Sequence, residues 1–288
     1  MEDLDFSNPS GPLKSAPPPQ PPVYVPAIAR SFFESAGREE ATGAGIVFFA
    51  ENEKASRILL KRDKMYFLLE GEVALSARGK PVGEVKPGEI FGEMAAISAS
   101  PRSATAVARS PCRVVALDDR QFHAALQKMP EFALMMLGVL TARLRAMIAK
   151  MSGVPAAQAK GARVFDKGLL AGLQAGLGDQ ARVRYDRGKV IMVAGQTGAL
   201  MYVVLEGQVA ISIRDAVVER IGPGGVFGEM ALVDQSPRSA SAVAETDCAL
   251  LAVNRTVFLK LVKSEPMFGI SLLSSMAERV RNTAAAQD

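Results

Sequence analysis

The chain repeats itself at a fixed interval, and that repeat constrains its fold more than any other feature. Met65-Tyr66-Phe67-Leu68-Leu69-Glu70-Gly71-Glu72-Val73-Ala74-Leu75-Ser76 returns as Met201-Tyr202-Val203-Val204-Leu205-Glu206-Gly207-Gln208-Val209-Ala210-Ile211-Ser212, identical at eight of twelve positions. Phe91–Ala108 returns as Phe227–Ala244, identical at thirteen of eighteen, and the offset is 136 in both blocks. It persists to Phe122/Phe258, Pro130/Pro266, Phe132/Phe268 and Arg143/Arg279. A constant offset over about eighty residues means two copies of one domain with no insertion inside that span. Ahead of it the copies differ: Gly45 to Met65 is twenty residues, Gly188 to Met201 thirteen, so the first copy carries seven extra in the charged stretch Glu51–Lys64.

Each copy reads as short strands followed by helix. Val203, Leu205, Val209, Ile211 and Ile213 alternate around a Glu206-Gly207 turn, and further strands are expected over Asp215–Pro223 and Val243–Val253. Arg255–Lys263 and Pro266–Arg281 have helical spacing. Phe268, Leu272, Leu273, Met276 and Val280 form one broad face, matched in the first copy by Phe132, Met136, Leu137, Leu140 and Leu144. The fold class is therefore mainly β with flanking helices. Residues 1–26, with eight prolines, are expected to be a disordered or polyproline arm, either a simple tail or a docking segment. Residues 27–152 and 153–288 are the two domains.

The best-matched block has a chemical logic. It runs Gly92-Glu93-Met94-Ala95, then Pro101-Arg102-Ser103-Ala104, and again Gly228-Glu229-Met230-Ala231, then Pro237-Arg238-Ser239-Ala240. Glycine permits a tight turn and a close backbone approach. The residues after it can open one helical turn whose free N–H groups would face a phosphate. An arginine after the proline could place its guanidinium on two phosphate oxygens. The glutamate, nine residues earlier, is an acceptor only, so it suits a sugar hydroxyl. Together these describe a ribose phosphate site. The alternative is an Arg–Glu ion pair that stabilises a loop; retention of Gly, Glu, Pro, Arg and Ser in both copies favours the ligand.

This block resembles the phosphate-binding cassette of cyclic-nucleotide-binding domains, the family of kinase regulatory subunits, nucleotide-gated channels and bacterial catabolite regulators, over roughly residues 40–150 and 165–288. The resemblance implies two tandem eight-stranded β-rolls (jelly rolls). It implies Glu93 and Glu229 on the ribose 2′-hydroxyl and Arg102 and Arg238 on the cyclic phosphate. Backbone groups of Gly92, Met94, Ala95 and Ala104, with Gly228, Met230, Ala231 and Ala240, would complete the cradle. In this family a threonine after the arginine tends to favour cGMP, so Ser103 and Ser239 point to cAMP, with cGMP as the alternative. The family's glycine turn before the Met-Tyr strand is kept in the second copy (Ala194-Gly195-Gln196-Thr197-Gly198) and is not visible in the first. Leu144, Met147, Met276 and Val280 are candidates to cap the base, with core packing the competing role.

Composition narrows the rest. Net charge is +4 and the pI is about 9.1, which by itself does not imply nucleic acid. Seven basic residues against three acids between Lys150 and Arg187 concentrate that charge in the connecting region, either as solvated surface or as a contact for an acidic partner or lipid headgroup. Cys112 and Cys248 occupy matching positions, so each is expected inside its own domain without a disulfide, as in an intracellular chain. No secretory signal or membrane span is visible, so the protein is expected to be cytoplasmic. One histidine, His123, and two separated cysteines assemble no metal site. No catalytic residue set and no cofactor are expected. Gly172–Gly178 lacks the setting of a dinucleotide loop. Seven residues follow Arg281 and read as a fraying end, too few for a DNA-binding domain. No Arg-Arg-x-Ser/Ala inhibitor segment precedes the first roll. The expectation is a cytosolic cAMP sensor whose terminal helices rearrange on binding and are read by an unidentified protein effector. The alternative is an interaction scaffold whose rolls do not bind nucleotide.

Overall fold

A computed structural model describes residues 24–54, 64–150, 159–160, 163–177, 181–234 and 237–285. The first repeat folds as α1 (Pro26–Glu34), β1 (Arg38–Thr42), β2 (Val47–Phe49), β3 (Met65–Glu70), β4 (Val73–Ala77), β5 (Lys80–Val85), β6 (Ile90–Phe91), α2 (Glu93–Ser98), β7 (Thr105–Ala108), β8 (Cys112–Leu117), α3 (Asp119–Lys128) and α4 (Glu131–Lys150). A two-residue strand, β9 (Ala159–Lys160), lies in the connection. The second repeat follows as α5 (Lys167–Leu177), β10 (Arg182–Tyr185), β11 (Val190–Met192), β12 (Met201–Glu206), β13 (Val209–Ile213), β14 (Ala216–Ile221), β15 (Val226–Phe227), α6 (Ala231–Asp234), β16 (Ser241–Ala244), β17 (Cys248–Val253), α7 (Arg255–Ser264) and α8 (Pro266–Ala285).

Each roll is a pair of antiparallel sheets. Their strand orders are β1-β8-β3-β6 facing β2-β7-β4-β5, and β10-β17-β12-β15 facing β11-β16-β13-β14. β9 extends the last sheet by pairing in parallel with β14. Alternation along the strands fills each roll with its own core, around Leu68, Phe91 and Val114 in the first and Val204, Phe227 and Leu250 in the second. Cys112 and Cys248 start β8 and β17; both are free thiols, buried, and donate to backbone carbonyls.

Several sequence expectations are refined. Pro26, the last proline of the arm, is the first residue of α1, where a missing N–H costs nothing; residues 1–23 lie outside the described residues. Tyr24 is docked, its hydroxyl donating to the Gly88 carbonyl at 2.9 Å. The turn that looked absent from the first copy is present: Asn52 (φ 63°) takes the place of Gly195 (φ 83°), since asparagine tolerates the left-handed region. Around it, the Asn52 N–H donates to the Arg102 carbonyl and the Arg102 N–H to the Glu53 carbonyl, as Gly195 and Gln196 do with Arg238. The extra residues fall after this turn, and 55–63 lie outside the described residues. The stretch after Arg281 continues as helix to Ala285 rather than fraying at once.

The terminal helices do more than cover their own rolls. Phe132, Leu134, Met135, Met136, Leu137, Leu140 and Thr141 are all buried, too wide a band for a helix packed on one side. The reason is that α4 packs along α8, α2 reaches α8, and α6 reaches α4. One hydrophobic core therefore runs through both repeats, including Met136, Leu140, Leu273 and Met276.

Phe32 of α1 stacks on Phe132 of α4 (centroids 3.6 Å apart, planes within 6°), both fully buried. Phe32→Ala should lower the unfolding free energy by about 3–5 kcal/mol. Urea unfolding would show this as a lower midpoint at unchanged slope.

Candidate functional site

The site is built where β6 ends. Pairing of Tyr66 with Phe91 delivers the chain to Gly92, whose φ of 77° turns it into α2. A Cβ on Gly92 would meet the Phe49 ring at 2.9 Å and Arg102 Nη1 at 3.0 Å, so glycine is needed for space as well as for φ. Arg102 returns on the far side of the loop, pinned by its backbone to the Asn52 turn. Its side chain points inward and is only 4% exposed. Nη1 donates to the Gly92 carbonyl at 2.7 Å, Nη2 to the Lys64 carbonyl at 2.8 Å, and the guanidinium lies 4.3 Å over the Phe49 ring.

Glu93 is buried at the start of α2 and accepts from Arg143 Nη1 of α4 at 2.8 Å. Gly92, Glu93, Met94, Ala95, Arg102, Ser103 and Ala104 all border one cavity of about 340 Å³, a size typical of a small-molecule pocket. Its other walls are apolar, from Leu75, Ala77, Val82 and Ile90, and Arg143 closes one side.

The second copy repeats the plan with different fittings. Gly228 (φ 75°) makes the turn, and Arg238 donates to the Gly228 carbonyl at 3.0 Å and the Leu200 carbonyl at 2.7 Å. Glu229 is buried and accepts from Arg279 Nη1 at 3.3 Å. The Ser239 hydroxyl donates to the Met230 sulfur at 3.7 Å; Ala231 opens α6, and Ala240 is buried. Met192 stands at the strand position of Phe49, opposite Ala242 as Phe49 is opposite Ala106. Beside Arg238 sits Tyr202, whose phenol is pushed up to about 12, chiefly by burial and then by Tyr185. Burial pulls the Arg238 guanidinium below its ordinary value.

Each site thus sets a guanidinium held by backbone carbonyls, buried in Arg102 and half-buried in Arg238, nine residues from a buried carboxylate held by an arginine of the terminal helix. The first favours an anion and the second a hydroxyl donor. Sequence reasoning missed Arg143 and Arg279 as site residues, although their retention at the common offset was the available signal. It also missed the apolar wall, whose residues are spread over β4, β5 and β6. Of the suggested base caps, Leu144, Met276 and Val280 are buried in the shared core and Met147 packs against it, the packing role set beside capping in the sequence, and Leu144 and Met147 do not border the first cavity.

The cyclic nucleotide-binding domain family model matches residues 47–129 and 182–265, one match in each roll and together more than half of the chain. The chain belongs to this family. The cyclic AMP receptor protein of Thermus thermophilus is 37% identical over 102 residues, which is 34% of this chain and 47% of that protein. A cAMP-dependent protein kinase regulatory subunit of Mycosarcoma maydis is 31% identical over 175 residues, 58% of this chain and 30% of that protein. This cyclic nucleotide-binding domain protein therefore spans less than half the length of either relative. The solved structure of cAMP-bound PfPKA-R is 20% identical, with 91% of this chain and 90% of that chain covered at a TM-score of 0.34. Among the described residues no cluster of His, Cys, Asp and Glu could hold a metal ion, and no helix is long and apolar enough to cross a membrane.

A Cβ on Gly198 would lie 2.5 Å from Arg238 Nη2 and 2.6 Å from Nε, so Gly198→Ala must expel the guanidinium from its two carbonyls. The expected cost is about 1–3 kcal/mol. Gly172→Ala, in open space on α5, should instead be neutral or stabilising by up to roughly 1 kcal/mol. Scanning calorimetry on the two variants separates these outcomes.

Proposed function

We propose that each roll binds one cyclic nucleotide, cAMP in preference to cGMP, and that the chain is a regulatory sensor without catalytic activity. In this reading Arg102 and Arg238 take the cyclic phosphate, Glu93 and Glu229 the ribose 2′-hydroxyl, and the backbone at Gly92, Met94, Ala95 and Ala104, with Gly228, Met230, Ala231 and Ala240, completes the cradle. Ser103 and Ser239 stand beside the phosphate. The apolar wall of Leu75, Val82 and Ile90 suits the base. The observation that carries the reading is the convergence of seven cassette residues on one cavity that also holds a buried guanidinium and a buried carboxylate. The cAMP named for the relatives points the same way.

The regulatory step follows from the same contacts. A ligand shifts a conformational equilibrium only through its different affinity for the two states. A hydroxyl bound by Glu93 shares that carboxylate with Arg143, so the ligand acts directly on α4; Glu229 and Arg279 do the same for α8. The altered helices would be read by a protein effector in the cytoplasm. The backbone bonds of Arg102 and Arg238 favour a second reading, in which both arginines only brace their loops and the chain is a scaffold.

Calorimetric titration decides between them. Two equivalents of cAMP should bind, with cGMP weaker. Arg102→Ala and Arg238→Ala should each remove one equivalent, by at least about 100-fold, given two charge-assisted hydrogen bonds at roughly 1.5–3 kcal/mol each. Lysine at either position should not restore binding, because it lacks the planar fork. Amide exchange over residues 135–148 should slow when cAMP is added. Absence of heat with either nucleotide makes the scaffold reading the correct one.

A further inference from the structure

Among the described residues, the arginine–carboxylate networks of the two sites differ in one charged residue. In the second roll Arg279 does not serve Glu229 alone. Its Nη1 is 3.3 Å from Glu229 Oε1 while its Nη2 is 3.3 Å from Oε1 of Glu219, on β14. In the first roll Arg143 approaches Glu93 more closely, at 2.8 Å. The position matching Glu219 is Gly83: Gly83 pairs with Leu75 across β4 and β5, as Glu219 pairs with Ile211 across β13 and β14. Leu75 and Val82 both border the first cavity, so this strand position lies at the rim of the pocket. β14 is also paired on its far side with β9, at Glu219 and Arg220, whereas β5 is an edge strand among the described residues. Glu219 is therefore carried on a strand held from both sides.

The consequence is electrostatic. Two guanidinium groups and one carboxylate border the first cavity. The corresponding set in the second is two guanidinium groups, Arg238 and Arg279, with two carboxylates, Glu229 and Glu219. An anionic ligand meets one net positive charge in the first set and none in the second. Arg279 is also more enclosed than Arg143 (26% against 48% exposed) and tied to two elements of the roll rather than one.

We propose that Glu219 makes the two sites unequal: by sharing Arg279 with the cassette carboxylate and adding negative charge at the pocket rim, it weakens anionic-nucleotide binding in the second roll relative to the first. This rests on the reading that both rolls bind a cyclic nucleotide. Glu219 is a specificity-determining residue that acts through Arg279 and through its charge.

The test is calorimetric titration of the full chain with cAMP, comparing wild type, Glu219→Gln and Gly83→Glu. Glu219→Gln should tighten the weaker of the two binding events by about 3- to 10-fold, and the gain should shrink as salt rises. Such a gain distinguishes the proposal from structural damage, which would weaken binding. Gly83→Glu, where a Cβ meets nothing within 4 Å, should weaken the tighter event. Two binding events left unchanged by both variants, or a second site weakened by Glu219→Gln, would overturn this inference while leaving nucleotide binding intact. No binding by the wild type would overturn both.

Discussion

Arg143 and Arg279 each reach from a terminal helix to a carboxylate at the start of a cassette. Glu93 is 7% exposed and Glu229 4%, and a carboxylate that buried is costly unless it is hydrogen-bonded to a counter-charge. The cassette therefore has its observed shape only while the terminal helix is in place. The helix in turn is positioned by that carboxylate at its polar end and by the apolar core elsewhere. The turn at Gly92 and the inward course of Arg102 are set by β6 and the Asn52 turn, and the Glu93–Arg143 bond adds the tie between that loop and the terminal helix.

How much of this was legible in the sequence depends on whether a residue's partner is near in the chain or only near in space. The offset of 136 marked both rolls, their strands and both cassettes, because each is a contiguous segment whose chemistry is local. Glu93 and Arg102 could be paired by inspection, since nine residues of a turn must bring them to one loop. Arg143 stands fifty residues after Glu93, and nothing in its own neighbourhood marks it as part of a pocket. Only its recurrence as Arg279 did so. Leu75, Val82 and Ile90 were unreadable for a similar reason: each looks like an ordinary strand residue until the sheets curl and three strands converge.

Other expectations failed through the physics of single positions. The first copy's turn looked absent because glycine was sought, while asparagine can occupy the same left-handed conformation with its side chain in solvent. α4 looked one-sided because Phe132, Met136, Leu137, Leu140 and Leu144 match a single face. The intervening Leu134, Met135 and Thr141 are buried as well. A helix with no polar face over its first three turns must be covered all round, and that signal was present in the sequence as the unbroken apolar run from Phe132 to Leu140.

The second face of α4 changes what a ligand can do. In an isolated roll, a shift of the terminal helix would exchange apolar surface with water and stop there. Here α4 shares its core with α8, and each cassette helix also touches the terminal helix of the opposite roll. Close-packed interiors transmit displacement rather than absorb it, because side chains interdigitate with few voids. On the proposed reading, a movement of α4 driven through Arg143 would have to be accommodated by Leu273, Met276 and the other α8 residues in that core, and α8 carries Arg279 to the second cassette. On the proposed reading the two sites would be linked through this packing and through two arginines whose bonds differ in length, in enclosure and in whether a second carboxylate shares them.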